Sequence, residues 1–468
     1  MRKIKIAYIG GGSKLWARVF MNDLALAEGI CGEIGLYDID MPAAIRNQKI
    51  GSYINKHPKT KTAWDYKVYD NSKDCLTGAD FVVMSILPGT FEEMRSDVHA
   101  PEEYGIYQSV GDTAGPGGVL RAMRTVPIYE EYAKEIKEYC PNAWVINFTN
   151  PMSILVKTLY DVFPEIKCFG CCHEVFHAQE FLTLCAQEIL GLERPDRHDI
   201  YTDACGVNHF TWITKARYKD IDLLKLIPAF ADKYYERGYY EEPNSNWDDF
   251  KTDPFKYGNK LKMDLYFKYN ALGAAGDRHL AEFFDNLEYL KNPKHVRDWK
   301  FNLTTVDFRI ELMEKQIAES EEMANGTRPV DVIKSTEEAV ELMKAILGFG
   351  TIVSNVNMPN KGQMPQIPLG SVVETNCVFT HDMVCPVISD PLPEKPYEMV
   401  LKASNNIDDC YYAIKERNLD KLFKVFMNQA LCTNLSQEDG IVLFKKMIKN
   451  TRNYLDPYFN NIDEFLNS

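Results

Sequence analysis

Gly10, Gly11, Gly12 and Ser13 interrupt the chain between an apolar run at 3–9 and a segment with Leu15, Trp16, Val19, Phe20 and Leu24 at helical spacing. A strand-to-helix turn without Cβ atoms lets backbone approach a pyrophosphate, and the helix behind it offers free N–H groups. Asp38 ends the next predicted strand, EIGLYD at 33–38, where a carboxylate accepts hydrogen bonds from an adenosine ribose. An acid there favours NAD over NADP, whose phosphate it repels. The pattern is G-x-G-S rather than a full G-x-G-x-x-G. The order strand, turn, helix, strand, acid therefore carries the reading, and the turn alone would be an ordinary tight turn.

His173-Glu174-Val175-Phe176-His177 matches H-E-x-x-H, the signature of zinc peptidases. On a helix its histidines share a face and bind zinc, with Glu174 as base. The segment follows directly on a predicted sheet strand, at the end where a cofactor lies. That context makes His177 a helix-packing residue, and a zinc peptidase remains only an alternative.

The elements that must position these residues are legible. Short apolar runs at 3–9, 33–38, 79–87, 142–148 and 166–172 read as strands, with helical segments between them, including 119–139 and 152–162. This alternation predicts an α/β chain with a doubly wound, Rossmann-like parallel sheet that binds ligands at the carboxyl ends of its strands. From about residue 200 the pattern changes. CGVNHFTWITKARY at 205–218 reads as a strand pair, 220–300 as mostly helical, 351–380 as strands with Pro/Gly turns, and the tail from 396 as helical. The expected organisation is a dinucleotide-binding domain at 1–200 and a large mixed α+β catalytic and oligomerisation domain at 201–468. EEPNSNWDD at 241–249 is the candidate linker.

A net charge of −14 removes the basic field that binds phosphate backbones, so nucleic acid is excluded as a partner. No run approaches the ~18 apolar residues of a membrane span, and MRKIKIAYIGGG leads straight into a strand without a secretory h-region. A cytoplasmic protein with mostly buried, reduced thiols is expected from its twelve cysteines.

Four further runs stand at strand ends or before helices. Cys172-His173-Glu174-Val175 follows the fifth predicted strand, and Gly206-Val207-Asn208-His209 comes about one helix and one strand later. Asn147-Phe148-Thr149-Asn150-Pro151 ends the fourth strand, and Gly111-Asp112-Thr113-Ala114-Gly115-Pro116-Gly117-Gly118 precedes a helix. Together with the N-terminal glycine turn, this set resembles glycoside hydrolase family 4, the NAD- and metal-dependent glycosidases. The resemblance covers most of the chain and is strongest from 1 to 215.

The resemblance implies a glycosidase that oxidises the sugar at C3 with NAD, removes the C2 proton, eliminates the C1 substituent, adds water and returns the hydride. Cys172 and His209 are implied as ligands of a divalent metal, most readily Mn2+. Asn147 joins Gly10–Ser13 and Asp38 among the implied cofactor residues. Asn150 is implied as a substrate contact, and His173 as an aid to aglycone departure. The C2 base is placed on Lys262-Met263-Asp264-Leu265-Tyr266-Phe267-Lys268-Tyr269, with Asp264 first and Tyr266 second. C-H-E-V at 172–175 resembles the group acting on α-linked uronic acids, galacturonides before glucuronides. Arg95 and Arg278, the latter within Gly276-Asp277-Arg278-His279, are the candidate carboxylate-binding arginines. A surface ion pair is the plain alternative for Arg95, and an ion pair with Glu282 for Arg278. Asp112 departs from the small or polar residue expected before the Pro-Gly-Gly turn. A small glycoside or oligosaccharide is the implied partner, in a homodimer or homotetramer. The competing readings are a lactate/malate-type dehydrogenase, which needs no metal, and a non-catalytic NAD-binding regulator.

Overall fold

A computed structural model describes residues 1–239, 247 and 252–468; apart from Trp247, the expected linker at 241–249 lies outside the described residues. Six strands run parallel: β1 (Arg2–Ile9), β2 (Ile30–Tyr37), β3 (Trp64–Tyr69), β4 (Phe81–Met84), β5 (Trp144–Asn147) and β6 (Lys167–Gly170). Their spatial order is 3-2-1-4-5-6, that of a doubly wound dinucleotide-binding sheet. Parallel sheets are covered on both faces, and the alternation of side chains shows it. Ile6, Tyr8, Ile34, Phe81 and Val83 enter one core with Phe20 of the helix Trp16–Leu26. Ala7, Ile9, Val82 and Met84 enter the other, beneath the helices Gly115–Tyr139 and Met152–Val162.

The chain crosses residue 200 without leaving this sheet. β7 (Tyr201–Val207), β8 (Phe210–Tyr218), β9 (Ile221–Asp222), β10 (Leu272–Gly273), β11 (Ile352–Pro359), β12 (Val372–Thr380) and β13 (Met383–Pro386) extend it antiparallel beyond β6, in the order β6-β11-β12-β7-β8-β10. β9 pairs with β8 and β13 with β12. The expected strand pair at 205–218 is β7–β8, and the strands expected at 351–380 are β11 and β12. The sequence reading passed over β3, although W-D-Y-K-V-Y has the period-2 pattern of an edge strand.

Two close approaches shape the strand ends. A Cβ on Gly10 would lie 2.0 Å from the Ser85 carbonyl oxygen, and its φ of +96° suits glycine. A Cβ on Gly118 would lie 2.4 Å from the Thr113 carbonyl oxygen, so only glycine lets the loop carrying Asp112 fold over the start of the helix Gly115–Tyr139. The buried Arg124 side chain forks onto Asp97 and donates from Nε to the Pro88 carbonyl at 3.0 Å, tying that helix to the loop after β4. All twelve cysteines are free thiols, ten of them buried. No described helix is long and apolar enough to cross a membrane.

Candidate active site

The glycine turn sits where a dinucleotide needs it. Gly10 and Gly11 donate N–H groups to the Tyr37 carbonyl, both at 2.9 Å. Asp38 accepts from Gly12 N at Oδ2 and from Asp40 N at Oδ1, each at 2.8 Å. Ser13 Oγ accepts from Trp16 N at 3.0 Å and starts the first helix. Asn47, which the sequence reading passed over, donates to the Gly11 and Ser13 carbonyls at 2.8 Å each. A Cβ on Gly12 would come within 2.8 Å of the Asp38 carboxylate, so the space between turn and acid is kept clear. This cradle fits an adenosine pyrophosphate. Asn147 lies at the end of β5, where its amide accepts from Tyr129 Oη at 2.6 Å and donates to the Thr149 carbonyl at 3.0 Å. Asn150 differs, because its buried Oδ1 has no hydrogen-bond partner among the described residues.

Beyond β6, Cys172 is buried with its thiol against the Asn208 side chain; burial and the nearby Glu374 push that thiol well up. The two-residue link between β7 and β8 places His209 at φ +65°, a left-handed conformation uncommon for a non-glycine residue. Its ring lies 4.0 Å from that of His279. Asp112, His209 and His279 present ligand atoms within 4.8 Å of one another. Burial, then the adjacent His279, pull His209 down to about 3, leaving the neutral imidazole that ligates metals. Burial acts against ionisation of Asp112, yet Arg121, His209, His279 and Arg309 hold its carboxyl well below the usual range. Among the described residues, the buried His209 Nδ1 has no hydrogen-bond partner, and the polar side-chain atoms of Asn208 have none beyond the Cys172 thiol. A neutral imidazole, an ionised carboxylate, a nearby thiol and orphaned polar atoms fit a divalent cation. Cys172 lies outside the Asp112–His209–His279 trio.

Glu174 joins the histidines. Its Oε2 accepts from Gly276 N at 2.6 Å, and its Oε1 lies 3.4 Å from His279 Nε2. Burial pushes its carboxyl up, but His279, His177 and His173 hold it well below normal. His173 Nδ1 meets Glu337 at 2.9 Å. Burial lowers His173, and Glu337 and Glu174 more than offset that, raising it overall.

The expected arginines divide. Arg95 pairs with the exposed Asp307 at 2.7 Å on the surface. Arg278 donates from Nη1 to Thr304 Oγ1 at 3.1 Å, its guanidinium 4.9 Å from the Phe255 ring centre. Glu282 is not its partner, for that carboxylate accepts from Val110 N and Gly111 N at 2.7 and 2.8 Å. Two arginines absent from the sequence reading stand close by. Arg309 donates to the Val110 and Thr304 carbonyls at 2.8 and 3.3 Å, and Arg121 to the Asn150 carbonyl at 3.1 Å. Among the described residues, none of Arg121, Arg278 and Arg309 forms an ion pair.

The helix Lys260–Tyr269 turns a different residue inward from those expected of it. Asp264 accepts from Tyr289 Oη at 2.6 Å and pairs with Lys268 at 2.8 Å. Tyr266 packs half-buried among the apolar residues beside the helix Glu174–Leu190. None of these partners belongs to the cluster around His209. The inward group is Lys262, fully buried, which donates to the Ala275 carbonyl at 2.8 Å and meets Asp277 at 3.4 Å. That pair anchors the turn carrying Arg278 and His279. Asp112, Glu174 and His279 lay within runs singled out in the sequence, but their convergence had no local signal.

Residues 5–188 match the family model described as Family 4 glycosyl hydrolase, and 204–432 match its C-terminal domain. The chain is 49% identical to an alpha-galacturonidase of Thermoanaerobacterium saccharolyticum, over 97% of both chains. The crystal structure of Bacillus subtilis lplD, described as a glucosidase, superposes with a TM-score of 0.89 at 42% identity, covering 96% of this chain and 100% of that one. A 6-phospho-alpha-glucosidase from gut microorganisms, solved with NAD and Mn2+, shares the fold at a TM-score of 0.78 and 18% identity, over 97% and 99% of the two chains. With matches across both of its halves and this identity along nearly its whole length, the chain belongs to the family 4 glycosyl hydrolases.

Proposed function

We propose that this protein hydrolyses α-linked galacturonides, with α-glucuronides next, using NAD and a divalent metal, Mn2+ first. The observation that carries the substrate class is a set of three arginines that form no ion pair among the described residues: Arg121 and Arg309 close to Asp112, and Arg278 near Arg309 and the His173–His177 pair. A uronate carboxylate taken out of water needs a charged partner, and a guanidinium fork meets it with two parallel hydrogen bonds. Arg278 is the principal contact: among the described residues its N–H donors meet only Thr304 Oγ1, whereas Arg121 and Arg309 already face the Asp112 carboxylate. The alpha-galacturonidase relative supports the same reading.

Gly10, Gly11, Gly12, Ser13 and Asp38 hold the dinucleotide, with Asn47 and Asn147 fixing the backbone around it. Cys172 and His209 hold the metal, with Asp112 and His279 in reach of the same space. When bound, NAD supplies a hydride acceptor and donor and the metal a Lewis acid, which together replace the two-carboxylate route of other glycosidases. His173 holds a proton at Nε2, favoured by Glu337 at Nδ1, and gives it to the leaving oxygen. Asn150 Oδ1, buried and unpartnered, accepts from a sugar hydroxyl. A cavity of about 300 Å3 beside Pro151, Asn208 and Glu282, walled by Phe283 and Met399, gives room for the leaving group. Asp264 and Tyr266 are engaged elsewhere and receive no proton-transfer role.

In this reading 1–200 carries the dinucleotide and 201–468 supplies His209, Arg278, His279 and Arg309. The free thiols suit a reducing cytoplasm, and a homodimer or homotetramer is the working assembly, to be measured by light scattering. The test of function is a panel of p-nitrophenyl α-glycosides and α-uronides with NAD+, Mn2+ and reductant. The α-galacturonide is expected to be cleaved first, with NAD+ required and no net NADH formed. Equal kcat/KM for α-galacturonide and α-galactoside would overturn the substrate class, and NADH rising in step with product would favour a dehydrogenase.

A further inference from the structure

In the H-E-x-x-H run, Glu174 and both histidines turn toward one another. The helix Glu174–Leu190 begins at Glu174, with His173 as the residue before it. The His173 and His177 rings lie 5.0 Å apart and nearly perpendicular, at 70°. Glu174 turns its carboxylate to both, with Oε1 3.8 Å from His173 Nε2 and Oε2 4.0 Å from His177 Nδ1. One potential ligand atom from each of the three residues lies within 4.8 Å of the other two. Zinc ligands stand at about 2.0–2.2 Å from the ion, so two of them are naturally separated by nearly the spacing seen here.

The surroundings complete the case. Metal-bound histidines usually donate their second ring N–H to a carboxylate, which fixes tautomer and orientation. His173 meets Glu337 in that way at Nδ1, 2.9 Å away, which leaves Nε2 facing Glu174, where an ion would take the place of its proton. Among the described residues the buried His177 Nδ1 has no hydrogen-bond partner, a costly state for an imidazole nitrogen unless a ligand takes it. Glu174 is held by Gly276 N at 2.6 Å and cannot swing away freely. The side chains of His173 and His177 remain 28% and 37% exposed, which leaves an entry path.

We propose that His173 Nε2, Glu174 and His177 Nδ1 form a second divalent-cation site, suited to zinc, distinct from the Cys172–His209 pair, and that its occupation inhibits the glycosidase. Two imidazoles and one carboxylate with a fourth position open are a zinc set, whereas manganese prefers oxygen ligands. Inhibition rests on the reading of His173 as proton donor, because an ion on Nε2 removes the place where that proton sits. Zinc binding itself does not depend on that reading.

The test uses chelator-stripped, full-length protein titrated with Zn2+ against a chromophoric chelator. Wild type is expected to bind two equivalents, His177→Gln one, and Cys172→Ser/His209→Ala one, with circular dichroism confirming that each variant is folded. Co2+ in the double variant is expected to give a visible ligand-field spectrum that vanishes when His177→Gln is added. In the wild type loaded with NAD+ and Mn2+, micromolar Zn2+ is expected to lower kcat at least tenfold, reversibly with chelator, while His177→Gln keeps its basal rate and loses the inhibition. Two equivalents retained in His177→Gln, or none in the double variant, would overturn the site and leave the role of His173 standing. Two equivalents in wild type with no inhibition would overturn the inhibitory half and the His173 proton role with it.

Discussion

Arg278→Ala gives the sharpest test of substrate class. The guanidinium is held from two sides, by Thr304 Oγ1 at 3.1 Å and by the Phe255 ring centre at 4.9 Å, and its other four N–H donors have no hydrogen-bond partner among the described residues. That is a preorganised fork with capacity for both oxygens of a carboxylate. Truncating one partner of a desolvated, hydrogen-bonded charge pair costs about 2–5 kcal/mol, which is roughly 30-fold to a few thousand-fold in kcat/KM. The loss is expected for α-galacturonide alone, with the α-galactoside changing by less than about threefold, near the noise of a surface substitution. Arg278→Lys keeps charge without the fork and is expected to fall between wild type and alanine. Arg309→Ala is expected to show the same selectivity with a smaller loss, because two of its donors already serve the Val110 and Thr304 carbonyls. Arg95→Ala, which breaks only a surface pair, is expected to change neither substrate. The assay is steady-state release of p-nitrophenol from matched uronide and neutral glycosides. Equal losses on the two substrates after Arg278→Ala would refute the reasoning, since the arginine would then act on something other than the carboxylate.

Cys172→Ser or His209→Ala is expected to abolish turnover while NAD+ still binds, read by intrinsic fluorescence titration; full activity in either would sink the metal assignment. Glu282 is pushed up to about 8 by burial and the nearby Asp112, against an ordinary value of 4.5. The folded chain therefore holds a proton that the unfolded chain lacks between about pH 4.5 and 8, so stability falls as pH rises through that window. Urea unfolding is expected to show that decline, on the order of a few kcal/mol, and Glu282→Gln to flatten it while still accepting from Val110 N and Gly111 N; an unchanged profile would mean that Glu282 ionises normally. Lys262→Met leaves the fully buried Asp277 carboxylate without its cation and is expected to cost about 3–5 kcal/mol, together with most activity, since the turn carrying Arg278 and His279 loosens. A cost under about 1 kcal/mol would show that Asp277 is satisfied by the Leu261 and Lys262 N–H groups alone.

The parallel half of the fold was legible because its determinants are local. Continuous apolar runs ending in Gly10–Gly12, Asn147–Pro151 and Cys171–Cys172 state which segments are covered on both faces and where each strand stops. The glycine turn and Asp38 could be paired from order alone, because a strand–turn–helix–strand unit brings them together whatever follows. The chain past residue 200 was less legible: the sequence showed strands there but not that β11 lies antiparallel beside β6 and extends one sheet. Long-range strand pairing leaves no periodic mark in either partner. The same holds for the site. Local sequence could nominate Cys172 and His209, but only the tertiary structure carries Asp112 from before one helix, His279 from a turn anchored by Lys262, and Glu174 from the next helix start into contact. Arg95 and Arg278 looked alike as sequence candidates. Burial and partner distinguish them, one spent on the exposed Asp307 and the other held without an ion pair beside the histidines, and burial is a property of the folded surface rather than of neighbouring residues.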